Sequence, residues 1–143
     1  MSNIQYAFIK KANIPSAEAL QTSINSLGFD LKIDPDLNFL ESAGFSPCVL
    51  AGIPDVGPEI FTESASESLD GNEELRGVVG ERDFCIGMVW RGSMKDCASV
   101  MIISCALAKE FGAVISYEGE PPEPLEGLIE AAKEIVEDAK SER

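Results

Sequence analysis

The chain has 143 residues, the usual size of one domain, and 45% of them are apolar, which argues against an intrinsically disordered chain. Eleven Lys and Arg stand against 25 Asp and Glu, which gives a formal net charge of −14 with no histidine. This charge argues against binding to nucleic acid or to an anionic membrane, because both need Lys and Arg to neutralise phosphates.

Hydrophobic periodicity and turn residues predict ten elements. In chain order these are a strand over residues 6–10, a helix over 17–27, a strand over 29–33, a short helix over 37–43, a hairpin of strands over 45–50 and 59–63, a strand over 83–91, a helix over 94–111, a strand over 113–117 and a helix over 125–139. Residues 64–80 are rich in Ser, Glu, Asp and Gly and are interpreted as a long acidic loop. This order predicts an α+β fold, a single sheet covered by helices (β-α-β-(short α)-β-β-β-α-β-α), in a single domain over residues 1–143.

The predicted helix over residues 94–111 is apolar on nearly every side, so we expect it in the centre of the core. Ser93 is placed to cap its N-terminus, with Asp96 reaching back as in a capping box, and Gly112 ends it. The last predicted helix has one apolar stripe opposite Glu and Lys residues, which is typical of a surface helix packed on one side.

The chain lacks the residues that most classes of enzyme use for catalysis. Without histidine the chain lacks the commonest general acid–base group, which excludes a serine or cysteine nucleophile paired with a histidine base. No P-loop, Gly-x-Gly-x-x-Gly fingerprint or Gly-x-Ser-x-Gly elbow occurs. We therefore expect no catalytic residue and no cofactor.

Metal binding is not expected either. Asp34, Asp36 and Asn38 match three positions of a calcium loop, but Phe39 and Phe45 stand where that loop needs Gly and a bidentate Glu. An Asp-rich turn explains the same residues. The cysteines show no CxxC spacing and are expected to be reduced core residues: Cys48, Cys85, Cys97 and Cys105.

The N-terminal segment has no basic region before a long apolar run and no small-residue cleavage site, so it does not resemble a signal peptide. The longest apolar stretch, Ala98 to Ala108, is far shorter than the roughly 20 residues that a bilayer requires. We expect a cytoplasmic protein.

The acidic residues are concentrated in one part of the chain. Between Lys32 and Arg76 there is no basic residue, whereas solvated surfaces usually intersperse both signs. A surface of this kind attracts a basic protein and speeds the encounter. The candidate partner-binding carboxylates are Asp55, Glu59, Glu63, Glu67, Asp70, Glu73 and Glu74, with Glu118 and Glu120 as a second group. Charge reversal at Glu67, Asp70, Glu73 and Glu74 is expected to slow binding without lowering stability.

Trp90 and Arg91 end a predicted strand just before the apolar helix. One interpretation is a Trp at the edge of the core beside an Arg that pairs with a carboxylate. The other is a binding hot spot, since Trp and Arg are enriched there, and Trp90 is therefore a candidate partner-binding residue.

Several segments carry a family resemblance: Ala43–Gly52, Gly57–Phe61, Phe84–Arg91 with the Ala-containing helix that follows, and Phe111–Glu120. Over roughly residues 40–120 they resemble the small immunity proteins of bacterial polymorphic toxin systems, including those of contact-dependent growth inhibition. The resemblance implies a protein that binds and blocks one toxin, with no catalytic residues.

Together, charge and resemblance predict that the chain neutralises a cognate basic toxin domain, expected to be a nuclease acting in the cytosol. Nucleases must be basic to hold a phosphate backbone, and an acidic inhibitor can cover such a site. Two alternatives remain open: a small-ligand-binding protein or enzyme that uses carboxylates in a pocket, and an acidic adaptor subunit.

Overall fold

A computed structural model describes residues 3–41 and 43–142. The strands are β1 (Asn3–Ile9), β2 (Leu31–Lys32), β3 (Gly44–Phe45), β4 (Cys48–Leu50), β5 (Ile53–Val56), β6 (Glu59–Ser64), β7 (Phe84–Trp90) and β8 (Val114–Tyr117). The helices are α1 (Ala17–Ser26), α2 (Ala65–Ser68), α3 (Glu73–Val79), α4 (Met94–Phe111) and α5 (Leu125–Lys140), with a short 3-10 turn at Lys11–Asn13. The start of the N-terminal segment, at Met1 and Ser2, and Ser42 of the predicted short helix lie outside the described residues.

The predicted α+β class is confirmed, but the strands form two antiparallel sheets where one was predicted. The larger sheet has the order β3-β6-β7-β1-β8 and the smaller one the order β2-β4-β5. The predicted strand over residues 45–50 is divided between them, because β3 pairs with β6 while β4 pairs with β2 and β5. Pro47 lies at this division, and it has no N–H with which to continue a ladder.

Helix α4 occupies the centre of the core, as its composition predicts. All eleven residues from Cys97 to Leu107 are buried, and α4 packs between the larger sheet on one side and α5 and α1 on the others. Helix α5 buries only Leu128, Ala132 and Ala139 and presents its Glu and Lys residues to solvent. Among the helices of the described ranges, none is both long and apolar enough to cross a membrane.

Residues 64–80 are not the predicted long loop, because they contain α2 and α3. Ser64 Oγ caps α2 through Glu67 N, and Asn72 Oδ1 caps α3 through Leu75 N. The predicted short helix over 37–43 is also wrong: its described residues form turns, beginning after an Asp34 side chain that accepts a hydrogen bond from Asp36 N. Short polar side chains at these positions offer the backbone a local alternative to a longer helix.

The predicted capping box of α4 is half correct. Ser93 Oγ accepts a hydrogen bond from Asp96 N at 3.4 Å, as expected of an N-cap. The Asp96 carboxylate does not reach back to Ser93 and instead accepts from Gly57 N at 3.0 Å. It thereby ties the first turn of α4 to the segment that joins β5 and β6.

A second carboxylate, that of Glu142, contacts the same N-terminal end of α4. Glu142 accepts hydrogen bonds from Met94 N at 2.7 Å and from Ser93 Oγ at 3.2 Å, and it pairs with Lys95 Nζ at 3.5 Å. These groups include free N–H groups at the positive end of the α4 dipole. The hydrogen bond from Met94 N is the main reason that the pKa of Glu142 lies below its ordinary value of 4.5.

We expect the Glu142→Gln substitution to lower the free energy of unfolding by about 1 kcal/mol at pH 7, because a neutral amide is a weaker partner for the helix N-terminus. Since the folded-state pKa is lowered, the stabilisation is present above the ordinary pKa and is lost as pH falls through the folded value. Urea titrations should therefore show the wild-type and variant curves converging below about pH 4.5. Glu134→Gln, an exposed carboxylate of α5, is the control, and an equal loss in both variants would contradict the assignment.

Candidate functional site: a half-open sheet face

The face of the larger sheet turned away from α4 can be followed from the strand register. One cross-strand row contains Ile4, Val89, Glu59 and Phe45, at the end of the sheet where β1 begins. The next contains Tyr6, Gly87 and Phe61, and the third Phe8, Cys85 and Glu63. Directly opposed residues of paired strands project to the same face, so these rows form one surface.

Helices α2 and α3 cover the third row, and Tyr6 of the second row packs against the edge of their cluster. Their buried side chains pack on Phe8 and Cys85 and form a core cluster separate from that around α4: Ala65, Leu69, Leu75 and Val79. In the first two rows Ile4, Tyr6, Phe61 and Val89 are half-buried, while Glu59 is exposed and Phe45 is 51% exposed. We call these six residues, Ile4, Tyr6, Phe45, Glu59, Phe61 and Val89, the open sheet face.

Gly87 leaves room on this face for the aromatic ring of Phe61. A Cβ at position 87 would stand 2.2 Å from Phe61 Cζ, so the Phe61 ring occupies the space that any other residue would fill. The same ring packs edge-on against Tyr6, with centroids 6.4 Å apart at an interplanar angle of 87°. Edge-to-face packing of this kind is favourable for aromatic pairs, and it holds both rings in place.

Three carboxylates border these rings. Glu59 forms an ion pair with Arg91 Nε at 3.5 Å, in which both side chains are largely exposed. Glu63 accepts a hydrogen bond from Ser68 Oγ, which fixes it at the end of β6. Burial, together with the nearby Cys85, Glu63 and Glu118, raises the pKa of Tyr6 above its ordinary value of 10.0. Tyr6 therefore remains a neutral hydrogen-bond donor in an anionic surrounding.

Glu118 is held at the edge of this face by the turn that follows β8. Its backbone has φ 53°, in the left-handed region, and its N–H donates to Ile4 O at 3.0 Å. Asn72, the cap of α3, also donates through Nδ2 to Gly119 O at 2.9 Å. One side chain thus connects α3 to the turn and helps to fix the position of Glu118.

The structure places Glu67, Glu73 and Glu74 on helices that pack on this side of the sheet, and it places Asp70 in the turn between α2 and α3. Glu67 lies in the first turn of α2, and Glu73 and Glu74 lie in the first turn of α3. Acidic residues there stabilise the helix N-termini. In contrast to the expectation from the sequence, we therefore expect reversal of Glu67, Glu73 or Glu74 to lower the free energy of unfolding by about 0.3 kcal/mol or more each.

The remaining predicted residues lie elsewhere. Asp55 belongs to β5 of the smaller sheet, where it has φ 61°. Trp90 projects to the α4 side of the larger sheet and packs on Tyr117, with centroids 5.9 Å apart. Glu120 lines a cleft together with these two aromatic residues. Glu118 and Glu120, predicted as one group, therefore serve different surfaces.

The cysteines are all free and buried. Burial raises the pKa of Cys48, Cys85 and Cys105 to about 12 and that of Cys97 to about 11. Because the thiolate is the reactive form, these thiols are unreactive at neutral pH. Residues 3–41 and 43–142 contain no cluster of three or more Cys, Asp or Glu that could hold a metal ion.

Sequence reasoning missed the aromatic part of the site. Glu59, Phe61 and Glu63 occupy every second position of β6, and Tyr6 of β1 stands between the buried residues Gln5 and Ala7. This alternation was a usable signal for one shared face within each strand. It does not show that the two strands flank a glycine, because that depends on the order of strands in the sheet.

No protein-family model matches the chain, and no curated protein and no solved structure is significantly similar to it. What the open sheet face binds must therefore be inferred from its own residues. These are aromatic, aliphatic and acidic, and the basic side chain of Arg91 pairs with Glu59 at the border.

Proposed function

We propose that the protein is an immunity protein that binds and neutralises a basic toxin domain through the open sheet face. The observation that supports this proposal is the combination of half-exposed Tyr6 and Phe61 with the carboxylates of Glu59, Glu63 and Glu118 around them. Aromatic side chains at the centre and charged groups at the rim are the usual organisation of a protein–protein interface.

The two kinds of residue have different roles in binding. Tyr6, Phe61 and Phe45 present apolar area at little cost in conformational entropy, and burial of that area by the partner slows dissociation. The carboxylates lie at the rim, where they raise the rate of association and exclude acidic partners. Glu59 already holds a guanidinium group, that of Arg91, and an arginine of the partner could take its place.

The partner is proposed to be a nuclease that acts in the cytosol, and this protein is proposed to act there too. A nuclease has a basic surface that holds phosphate groups, and a protein of net charge −14 is electrostatically complementary to it. The resemblance of residues 40–120 to immunity proteins points to the same activity. In this proposal the chain has no catalytic role and inhibits by covering the toxin.

The test is a stopped-flow measurement of association with the product of the adjacent gene. We expect the double variant Glu59→Lys, Glu118→Lys to associate about tenfold more slowly at 0.1 M salt, because it reverses charge at the interface itself. The difference should shrink as salt rises to 1 M, where the Debye length is about 3 Å. Both residues are exposed, so the variant should fold normally.

The matched control is Glu126→Lys, Glu130→Lys, two exposed residues of α5 on the α4 side of the sheet. It makes the same change in net charge and should slow association less than about threefold. Equal slowing in both variants would mean that overall charge, and not the open sheet face, guides the encounter. If neither the wild-type protein nor any variant associates with that gene product, the proposed toxin partner is wrong.

A further inference from the structure

A cleft lies on the opposite side of the larger sheet, between the ends of β1, β7 and β8 and helix α5. It is a half-open cleft of about 340 Å³, at the lower end of the range for small-molecule sites. Its apolar walls include Met101 of α4, Ile115 of β8 and Leu128 of α5. The open sheet face projects to the other side of the sheet, so the two sites are separate.

One wall of the cleft is aromatic and its mouth is acidic. Trp90 and Tyr117 pack with centroids 5.9 Å apart, and Tyr117 remains 37% exposed. Glu120 and Glu123 are exposed and also line the cleft, whereas no Lys or Arg is among its described lining residues. Aromatic faces combined with carboxylates attract organic cations, through the ring quadrupole and through direct charge pairing.

A buried amide supplies the third element of the site. Gln5 is only 3% exposed, and it lines the cleft. Its Nε2 donates to Met101 Sδ at 3.2 Å and to Ser104 Oγ at 3.1 Å, so both N–H groups are used. Its side-chain oxygen accepts no hydrogen bond from any residue of the described ranges. This oxygen is not among the fully enclosed side-chain atoms that lack a partner, so it is accessible from the cleft, where a ligand N–H can donate to it.

A glycine inside a helix shapes the same wall. Gly127 lies in the first turns of α5, where glycine costs roughly 1 kcal/mol relative to alanine. A Cβ at this position would stand 2.7 Å from Glu123 Oε2, so the missing side chain leaves room for that carboxylate to fold over the helix. Gly127 thus weakens the helix but leaves space for the Glu123 carboxylate beside the cleft.

We propose that this cleft binds a small organic ammonium ion with an apolar body, such as an arylalkylamine. The apolar body lies against Trp90, Met101 and Ile115, while the ammonium group is held by the Tyr117 ring and the carboxylates of Glu120 and Glu123. Gln5 accepts a hydrogen bond from the part of the ligand that reaches furthest into the cleft. This site is independent of the proposed immunity function.

Trp90 is the only tryptophan of the chain, so its fluorescence reports directly on the cleft. We expect 2-phenylethylamine to change this fluorescence saturably at pH 7, with an affinity at least about fivefold higher than that of the uncharged 2-phenylethanol. The anionic 3-phenylpropanoate should bind more weakly still. Equal responses to the amine and the alcohol, or no saturable response to the amine, would overturn the proposal.

Two variants with matched controls extend the test. Glu120→Gln, Glu123→Gln should weaken binding of the amine about fivefold, while Glu126→Gln, Glu130→Gln should leave it unchanged. Gly127→Ala should raise the melting temperature or leave it unchanged, because alanine favours the helix, yet weaken binding by displacing the Glu123 carboxylate. Unchanged amine binding in both the Glu120/Glu123 and the Gly127 variants would contradict the site.

One further outcome separates the cleft from the open sheet face. If the adjacent gene's product changes the Trp90 signal while the amine does not, the cleft is a protein-docking surface and the small-ligand proposal is wrong. If the amine binds and that gene product does not, the immunity proposal fails and the cleft proposal stands.

Discussion

Phe61→Ala is expected to lower the affinity for the toxin partner by about 30-fold or more, which corresponds to about 2 kcal/mol. The ring lies at the centre of the open sheet face, is half-exposed, and is held between Gly87 and Tyr6. Its removal takes away a preorganised apolar anchor. Isothermal titration calorimetry with the purified partner would measure the change in the dissociation constant.

Gly87→Ala tests the same anchor by another route. It leaves Phe61 in the chain but puts a Cβ in the space that its ring occupies, so the ring must turn away from the sheet. Affinity should therefore fall in this variant too. Phe84→Ala is the control, because Phe84 is a half-buried aromatic residue of β7 packed on the α4 side. That variant should lose stability and keep its affinity; a similar loss of affinity in Phe84→Ala and Phe61→Ala would refute the assignment.

Ile102→Ala and Ile103→Ala are each expected to lower the free energy of unfolding by about 2 to 5 kcal/mol. The two positions are neighbours in α4 and so project in directions about 100° apart. Both are nonetheless buried, Ile102 completely and Ile103 with 1% exposure. In a helix with one apolar stripe, a step of this size normally leads away from the core. Urea unfolding monitored by circular dichroism would measure both losses.

The comparison for this pair is α5, which is packed on one side only. Leu128→Ala should cost an amount similar to either α4 variant, whereas Glu130→Ala, two positions further along, should stay within about 0.5 kcal/mol of wild type. A cost below about 1 kcal/mol at either Ile102 or Ile103 would show that α4 is not enclosed on every side.

The sequence was most informative where local signals were strong and agreed. Helix α4 begins and ends at the predicted residues, because Ser93 and Gly112 provide a cap and a stop around a mainly apolar run that has no charged residue from Cys97 to Ala108. Residues 64–80 were misinterpreted because their Glu, Ser and Asp content dominates the composition. Leu69, Leu75 and Val79, which anchor α2 and α3, are too few and too widely spaced to form a periodic pattern.

The division into two sheets and the aromatic part of the site depend on contacts between distant residues. Nothing near Pro47 in the sequence indicates that the strand before it joins one sheet and the strand after it another. The sequence indicated an excess of carboxylates but not which of them lie together. The structure shows that Glu59, Glu63 and Glu118 lie around the same aromatic rings. Tyr6 and Phe61 come together only because β7 lies between their strands, with glycine at the point of contact.

The place of β1 in the larger sheet has a consequence for biosynthesis. The earliest strand of the described chain, β1, lies between β7 and β8. Its pairing with both strands is therefore complete only after residues up to Tyr117 have left the ribosome. Until β7 emerges, Ala7, Phe8 and Ile9, all buried in the finished fold, have neither neighbouring strand to shield them. Such long-range pairing slows folding and prolongs the exposure of aggregation-prone segments. A nascent chain stalled before β7 would be a natural client for a ribosome-associated chaperone.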